Sequence, residues 1–323
     1  MIRPFDWRDL TLLRRLGERG LCLDSQLAHT RGPQTLQHAL LDALSPGKTT
    51  STLVARPESR ELETALGQVV LSSSDRCARL TYLGPQTALA EPHGLRLVEA
   101  LAQEAGRHGA LNLIADVDED IPAFESLRGA GFAIYARQRI WRLPEAGNAG
   151  SGGRAAVWRP QLAADATALS ILYVNLVPGL VQQVEPAPHP DSRDLVHWQD
   201  GELLGYLDVE RGPLGTLVRP YFHPAAEGVE GLLISYLSRQ ANRRGRPLYF
   251  AVRSYQGWIG SVLERLGFEP AQDQAMMVKR LAVGVRRPAL APLRSVEGKF
   301  AEPSAPFSRI EESAPSPPHA AGR

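Results

Sequence analysis

The stretch that decides the fold spans residues 221–268 and reads YFHPAAEGVEGLLISYLSRQANRRGRPLYFAVRSYQGWIGSVLERLGF. A strand-like apolar run ends at His223-Pro224, and a turn with two glycines then opens a helix whose large apolar residues recur at helical spacing. The helical pattern stops at the next glycine and proline, as helices commonly do. The almost wholly apolar run 248–252 predicts a strand buried on both faces, and a second helical pattern leads to Gly267-Phe268. The stretch therefore predicts strand, helix, strand and helix within one α/β domain.

The same order of patterns occurs earlier in the chain at a fixed distance. Gly109 and Gly245 each precede an apolar strand-like run, and Gly131 and Gly267 each begin a Gly-Phe pair after a short helical pattern. Both pairs of glycines are separated by 136 positions. Two matches at one separation predict an internal duplication of the domain.

Composition divides the chain into four segments. Residues 1–143 and 157–283 carry the two copies, and residues 144–156 are rich in glycine without apolar periodicity, which predicts a flexible linker. Residues 284–323 combine many prolines with Ser, Glu and Ala, so we expect a disordered tail. The order of strands and helices in each copy predicts an α/β (α+β) class, with mixed, mostly antiparallel sheets flanked by helices.

The overall composition excludes several classes of protein. The chain has 323 residues, 43% of them hydrophobic and 22% charged, with a formal net charge of +1, so it offers no global field for nucleic acid. The sequence contains no run of about 18 apolar residues, so we predict no membrane span, and its N-terminus does not resemble a signal peptide. Cys22 and Cys77 are too few for a disulfide framework and lack metal-ligand spacing. We therefore expect a cytoplasmic protein without a metal and without nucleic-acid or membrane partners; the sequence does not indicate its oligomeric state.

Two short motifs suggest a family. The first is Phe222-His223-Pro224 with the turn that leads to Gly231, and the second is the run 263–268, which ends in Gly-Phe. The earlier copy matches through Glu91-x-x-Gly94 and the run 127–132. With this order of elements, the chain resembles two tandem members of the GNAT superfamily of acyl-coenzyme A dependent N-acyltransferases. In that family the first motif is Val-x-Pro followed by Arg/Gln-x-x-Gly-x-Gly/Ala, and the second is Tyr-x-x-x-Gly-Phe.

The resemblance implies a tandem GNAT fold and a reaction. In such a reaction an acetyl or other acyl group moves from coenzyme A, with acetyl-CoA as the substrate, to an amine of a small molecule or peptide. The residues that the resemblance assigns to the coenzyme are Phe222, His223, Gly228, Gly231 and Leu232. The physical reason is that a helix N-terminus offers unpaired N–H groups and partial positive charge, while glycines let the backbone approach a diphosphate closely.

Four residues depart from the family pattern. Glu227 and Glu230 stand in the turn where the family has Arg or Gln and small residues, and each carboxylate would repel a diphosphate by about 0.3 to 1 kcal/mol. Leu127 and Leu263 stand where the family often has the Tyr that protonates the departing thiolate, and leucine donates no proton. An alternative function therefore remains open, namely a non-catalytic GNAT-like protein that serves binding or regulation.

No catalytic residue is assigned by the sequence. Asp208 and Glu210 precede the glycine turn and Tyr255 follows the buried strand, so each is a candidate to accept the proton of the incoming ammonium. The stretch 253–256 lies where the cleft opens in the family, and a functional role and a structural role for it are equally compatible with the sequence. The acidic run 116–120 predicts a solvated loop that also caps the following helix, rather than a metal site.

Overall fold

The computed structural model of the protein describes part of the chain, namely residues 1–16, 19–32, 48–59, 61–72, 76–144, 158–188, 193–240 and 246–281. Residues Met1–Gly284 form one compact unit. Apolar residues at helical spacing after Pro33 (Leu36, Leu40, Leu41 and Leu44) predict a helix, but this segment lies outside the described residues. The linker from residue 145 to residue 156 and the tail 284–323 lie outside them as well. None of the described helices is long and apolar enough to cross a membrane.

The two halves contain the same order of elements, except that the short strand β2 of the first half has no counterpart among the described residues of the second. The first half comprises β1 (Ile2–Pro4), α1 (Leu10–Leu16), β2 (Leu21–Cys22), α2 (Ser25–Thr30), β3 (Lys48–Ala55), β4 (Ala65–Ser72), β5 (Cys77–Gly84), α3 (Pro92–Arg107), β6 (Asn112–Asp118), α4 (Pro122–Gly129) and β7 (Ala133–Leu143). The second half comprises β8 (Arg159–Pro160), α5 (Ala166–Leu176), α6 (Gly179–Gln182), β9 (Leu195–Gln199), β10 (Glu202–Arg211), β11 (Thr216–Phe222), α7 (Val229–Arg239), β12 (Leu248–Arg253), α8 (Ile259–Arg265) and β13 (Glu269–Arg280). The strands and helices predicted from the stretch 221–268 are confirmed.

Local sequence explains the turns that join these elements. The Asp-Gly dipeptide at residues 200–201 predicts a hairpin turn, and β9 and β10 form that hairpin, with φ values of 51° at Asp200 and 84° at Gly201. A two-residue turn of this kind needs left-handed backbone at both positions, which Asp and Gly tolerate best. Gly131 and Gly267, which begin the two Gly-Phe pairs, are left-handed as well, with φ of 88° and 83°. Glycine is therefore required where each short helix turns into the last strand of its half.

All thirteen strands of the described residues join one sheet. Its order is β1-β3-β4-β5-β6-β13-β7-β12-β11-β10-β9-β8, with β2 paired to β5. From either edge the order passes through equivalent strands of the two halves and ends at the central pair β7–β13. β7 pairs with β12, and β13 pairs with β6, both antiparallel. The last strand of each half therefore completes the sheet of the other half, and the sheet is continuous across the predicted domain boundaries.

Two glutamines mark the centre of this exchange. Gln138 and Gln274, which are 136 positions apart, lie opposite each other in the register of β7 and β13. Gln138 Nε2 donates to Gln274 Oε1 at 2.9 Å, and the Ser25 hydroxyl donates to the same oxygen at 2.7 Å. Both glutamines are buried, so these hydrogen bonds satisfy groups that would otherwise be costly. Equivalent residues of the two halves thus meet at the middle of the sheet.

The same ion pair occurs near the start of each half. Arg3 Nη2 lies 2.7 Å from Asp9 Oδ1, and Arg159 Nη2 lies 2.6 Å from Asp165 Oδ1. In both pairs the hydrogen bonds from the guanidinium hold the pKa of the aspartate below its usual range. Each of these arginines precedes a proline, Pro4 or Pro160, so the starts of the two halves are equivalent in sequence as well as in contacts.

The hydrophobic core has a separate cluster under each pair of helices. The cluster under α3 and α4 includes Ala275 and Met277 of β13, while the cluster under α7 and α8 includes Trp141 and Leu143 of β7. A third cluster lies under α5 and α6 and joins strands of both halves. The exchanged strands therefore contribute to the core of the opposite half, which makes the two halves mutually dependent.

Candidate functional site

The start of α7 lies at the predicted glycine turn. Gly228 is left-handed, with φ of 64°, immediately before the helix begins at Val229. None of the described side chains caps this helix end, and a Cβ added to Gly228 or Gly231 would meet no atom within 4 Å. The first turn of α7 therefore borders open space and carries the partial positive charge of a helix N-terminus. Phosphate groups bind to helix ends of this kind.

The five residues predicted to bind the coenzyme differ in their surroundings. Gly228 and Gly231 border the open space, whereas the side chains of Phe222 and Leu232 are buried in the core under α7. His223 uses its backbone N–H and its Nδ1 atom in hydrogen bonds to neighbouring backbone groups. The structure thus leaves the two glycines at the surface, and the assignment of all five residues to a coenzyme stays a prediction.

Two carboxylates stand in this turn, as the sequence indicates. Glu230 forms an ion pair with Arg265 of α8, with 2.8 Å between Arg265 Nη2 and Glu230 Oε2. Both side chains are about half exposed, so solvent screens the pair. Glu227 is exposed. The repulsion expected for a diphosphate is therefore reduced at Glu230 and remains at Glu227.

A buried glutamine fills the gap between β11 and β12. These parallel strands pair over only three residues each, next to the start of β11. Near the end of β11, Gln256 Oε1 accepts the N–H of Phe222 at 2.9 Å, and Gln256 Nε2 donates to the carbonyl of Pro220 at 2.8 Å. The side chain is fully buried. Any ligand that pairs with this edge of β11 must therefore displace Gln256.

The corresponding cleft of the first half is filled by backbone. β5 and β6 also pair over three residues, and beyond them Leu23 lies between the strands. Its N–H donates to Thr81 O at 3.0 Å, and its carbonyl accepts the N–H of Asp116 at 2.8 Å. In the first turn of α3, a Cβ on Gly94 would lie 1.9 Å from Ala88 O. The described residues of the first half therefore leave no gap between β5 and β6 and no open start of α3, whereas the second half keeps the open start of α7.

Leu127 and Leu263 are fully buried in the cores under α4 and α8. Neither side chain reaches the surface of a cleft. The proton donor that the family often has at this position is therefore absent from both described helices.

A cavity of about 330 Å³ lies between the two halves, against β10 and β11. Residues of β4, β5 and β6 of the first half and of the segment after α6 complete its wall. Its charged lining residues are Arg79, Glu185, Asp194, Asp208, Glu210 and Arg219. The volume is at the lower end of pockets that bind small molecules.

Glu185 forms an ion pair with Arg253 at the wall of this cavity. It accepts two hydrogen bonds from Arg253 Nη2, at 2.8 and 2.9 Å, and one from the Tyr135 hydroxyl. Burial alone would raise the pKa of Glu185, but Arg253 and Arg79 hold it below the usual range. Glu185 is therefore a charged carboxylate, and Arg253, from the stretch 253–256, ties the segment after α6 to β12.

The three candidates for proton acceptor differ in their contacts. Asp208 Oδ2 forms an ion pair with Arg219 Nε at 2.9 Å. Burial raises the pKa of Tyr255 to about 12, and Tyr255 is not among the described residues that line the cavity. Glu210 lines the cavity two residues beyond Asp208 and is half-buried. Of the three, Glu210 is the carboxylate that remains available.

A further carboxylate of the lining, Asp194, is held by β10. It accepts the Tyr206 hydroxyl at 2.6 Å and the N–H of Val209 at 2.9 Å. Burial and the neighbouring carboxylates raise the pKa of Tyr206, so its hydroxyl stays a donor. Asp194 therefore orders the segment before β9 against β10.

The prediction of a solvated loop at 116–120 is wrong for Asp116. Asp116 lies on β6, is 6% exposed and accepts the N–H of Ser25 at 3.0 Å. Burial raises its pKa. None of the described acidic side chains caps α4, which begins after Ile121. Within the described ranges, no group of three His, Cys, Asp or Glu side chains is arranged to hold a metal ion.

Sequence reasoning missed Arg79 and Glu185. Arg79 interrupts an apolar strand, and a charged residue at such a position is the signal that would have identified it. Glu185 has no local signal, because its partner Arg253 lies 68 positions away.

Comparison with known proteins yields no match to a family model and no match to a curated protein. Solved structures do match. A tandem GNAT protein from the clavulanic acid biosynthesis pathway, determined without acetyl-CoA, has a TM-score of 0.54 and 16% identity and covers 87% of this chain and 98% of its own. A GCN5-related N-acetyltransferase from Sphaerobacter thermophilus has a TM-score of 0.56 and 13% identity over 87% of this chain and 95% of its own. These likenesses show the fold: the protein has the tandem GNAT fold, as the sequence predicts.

Proposed function

We propose that the protein is a cytoplasmic N-acyltransferase that uses acetyl-CoA or another acyl-coenzyme A, and that its second half alone binds the coenzyme. The observation that carries the proposal is the open, uncapped start of α7, next to the end of β11. A diphosphate suits this helix end, and the edge of β11 suits an extended amide chain once Gln256 moves away. The fold supports the proposal, since the similar structure from Sphaerobacter thermophilus is a GCN5-related N-acetyltransferase.

The reaction joins an amine of a small molecule or peptide to the acyl carbon. An ammonium first loses one proton, and the free amine nitrogen then attacks the thioester carbonyl. The carbon–sulfur bond breaks to release the thiolate, and the second proton of the nitrogen passes to water. Leu263 cannot donate a proton to that thiolate, so the rate depends on positioning and on polarisation of the carbonyl. Glu210 is our candidate to accept the proton of the ammonium.

The experiment is a measurement of thiol release from acetyl-CoA by the full chain in the presence of a panel of amines. Gly231→Asp adds a carboxylate beside the open end of α7 in a place where nothing within 4 Å obstructs it. We expect amine-dependent release by the wild type, its loss in Gly231→Asp, and its retention in the control Gly231→Ala. Equal release by Gly231→Asp, or no release by the wild type with any amine, would contradict the proposal.

A second candidate function is a non-catalytic GNAT-like protein for binding or regulation. Two observations favour it, namely Gln256 in the cleft of the second half and Leu23 in the cleft of the first. Under this alternative, acetyl-CoA neither binds at millimolar concentration nor yields free thiol. The thiol assay therefore separates the two functions.

A further inference from the structure

We infer that the cavity between the two halves binds a small amine that also carries a carboxylate, an amino-acid-like zwitterion, and that Arg79 of the first half binds the carboxylate. The identification of this ligand as the acyl acceptor rests on the proposed function. The binding itself does not, because the cavity is formed without any coenzyme.

Two charged residues of the lining are unpaired. The other four have the contacts described above: Glu185, Asp194, Asp208 and Arg219. The side chains of Arg79 and Glu210 form no hydrogen bond and no ion pair with any described residue. One is a cation and the other an anion, so the cavity offers one unused charge of each sign.

Arg79 has donors that no described residue uses. Against the effect of burial, the carboxylates of Asp24, Asp116 and Glu185 raise its pKa, yet none of them is hydrogen-bonded to it. A guanidinium carries five N–H donors in a planar fork, and a carboxylate is the group that matches this fork with two parallel hydrogen bonds. A carboxylate in the cavity would therefore give Arg79 the partner that the chain does not supply.

A further guanidinium, Arg253, lies behind Glu185 and lines a separate cavity formed with residues of β7 and β13. Arg253 is 5% exposed and is bonded through Nη2 to Glu185, which lines the cavity. Its buried Nη1 atom has no hydrogen-bond partner in the described part of the chain. Because Nη1 is buried and Arg253 lines a separate cavity, this guanidinium supplies positive charge behind Glu185 and no hydrogen-bond donor to the ligand.

Glu210 provides the opposite charge. It follows Asp208 by two positions on β10, so both side chains lie on the same face of the strand. Four carboxylates and two guanidinium groups line the cavity, and this excess of negative charge disfavours phosphorylated or doubly anionic ligands. A carboxylate that is balanced by an ammonium group meets both conditions.

The remaining lining limits the size and polarity of the ligand. Val70, Ile114, Pro186 and Ala187 add apolar surface, and the volume is about 330 Å³. An amino acid with an aliphatic or weakly polar side chain fits this description better than a nucleotide or a peptide.

The experiment is isothermal titration calorimetry on the full chain without coenzyme, with the twenty common L-amino acids as probes. Each amino acid that binds is then compared with its carboxamide and with its decarboxylated amine. We expect at least one amino acid to bind, and at least tenfold weaker binding when the carboxylate is neutralised or removed. Arg79→Gln is expected to abolish that tenfold preference, while the exposed neighbour of Glu210 provides the control Arg211→Gln, which is expected to bind as the wild type does.

Two results would overturn the inference. One is equal binding of an amino acid and its carboxamide by the wild type, and the other is no binding of any probe. Because Arg79→Gln leaves three nearby carboxylates without this cation, its fold is checked by circular dichroism. If Arg79→Gln does not fold, Arg79→Lys keeps the positive charge but removes the planar guanidinium. We then expect this variant to bind the amino acid more weakly than the wild type does and to bind the decarboxylated amine equally well.

The outcomes also separate this inference from the proposed function. Amino-acid binding without any acyl transfer supports the ligand class and contradicts the acyltransferase. Acyl transfer that is as fast to decarboxylated amines as to the matching amino acids supports the acyltransferase and contradicts the ligand class.

Discussion

Replacement of Gln256 by alanine tests how the cleft of the second half is closed. The side chain is fully buried and makes two hydrogen bonds to backbone, at 2.9 Å to Phe222 N and at 2.8 Å to Pro220 O. Gln256→Ala leaves both backbone groups unpaired, and each buried unpaired group costs about 1 to 3 kcal/mol. Since water can enter the space that the side chain leaves, we expect a loss of about 2 to 4 kcal/mol in the free energy of unfolding.

Urea denaturation of the full chain measures this loss, with Gln272→Ala, an exposed glutamine on β13, as the control. Surface substitutions of that kind change stability by no more than about 0.5 kcal/mol. A loss below about 0.5 kcal/mol for Gln256→Ala, similar to the control, would refute the hydrogen-bond argument.

The same variant tests whether Gln256 blocks the binding of acetyl-CoA or contributes to it. A ligand that pairs with β11 must displace Gln256 in the wild type, whereas in Gln256→Ala the edge is already unpaired. We therefore expect acetyl-CoA to bind the variant more tightly, by up to about thirtyfold when 2 kcal/mol of displacement cost is removed. Weaker binding to a folded variant would show that Gln256 contacts the ligand rather than blocking it.

Other predictions concern stability and pH. Gly94→Ala places a Cβ within 1.9 Å of Ala88 O, so we expect it to lower the free energy of unfolding strongly in urea denaturation. The control Gly106→Ala lies on the same helix and meets nothing within 4 Å, so we expect it to raise the free energy of unfolding by about 0.4 to 1 kcal/mol. Equal effects of the two substitutions would contradict the close packing at Gly94. Burial lowers the pKa of His29, which stacks on Tyr249, to about 4 from 6.5. The unfolded chain therefore binds the proton of His29 more readily than the folded protein does. We expect no effect of this protonation on the free energy of unfolding above about pH 6.5, and a decrease of up to about 3 kcal/mol as the pH falls to 4. His29→Phe should flatten this dependence in urea titrations at pH 7 and pH 4.5, and an unchanged slope would argue against a buried neutral imidazole.

Local sequence was sufficient for the order of elements in the stretch 221–268 and for the turns, but it did not predict β2 or α2. Few residues tolerate positive φ, so the glycines of the turns predict their own backbone conformations. This holds for Asp200-Gly201, Gly228 and the two Gly-Phe pairs. The exchange of β7 and β13 was not predictable in this way. Equivalent strands of a duplicated domain carry similar patterns, so the choice between a partner in the same half and one in the other half depends on packing across more than a hundred residues.

The candidate site was predictable only in part. The glycine turn and the two buried leucines follow from short motifs. The closure of the clefts by Leu23 and Gln256 does not, since a leucine or a glutamine with no local periodicity gives no signal of the backbone groups that it pairs with. For the same reason the cavity residues Arg79 and Glu185 became visible only when the sheet brought the two halves together.

The most direct measurement is a calorimetric titration of acetyl-CoA into the full chain, because its stoichiometry counts the open coenzyme sites. The first half is filled by Leu23 and closed at Gly94, whereas the second half keeps the open end of α7. We predict saturable binding of one molecule per chain, which Gly231→Asp abolishes and Gly231→Ala retains. Two molecules per chain would show that the first half is not closed, and no binding at millimolar acetyl-CoA would contradict a coenzyme site at α7.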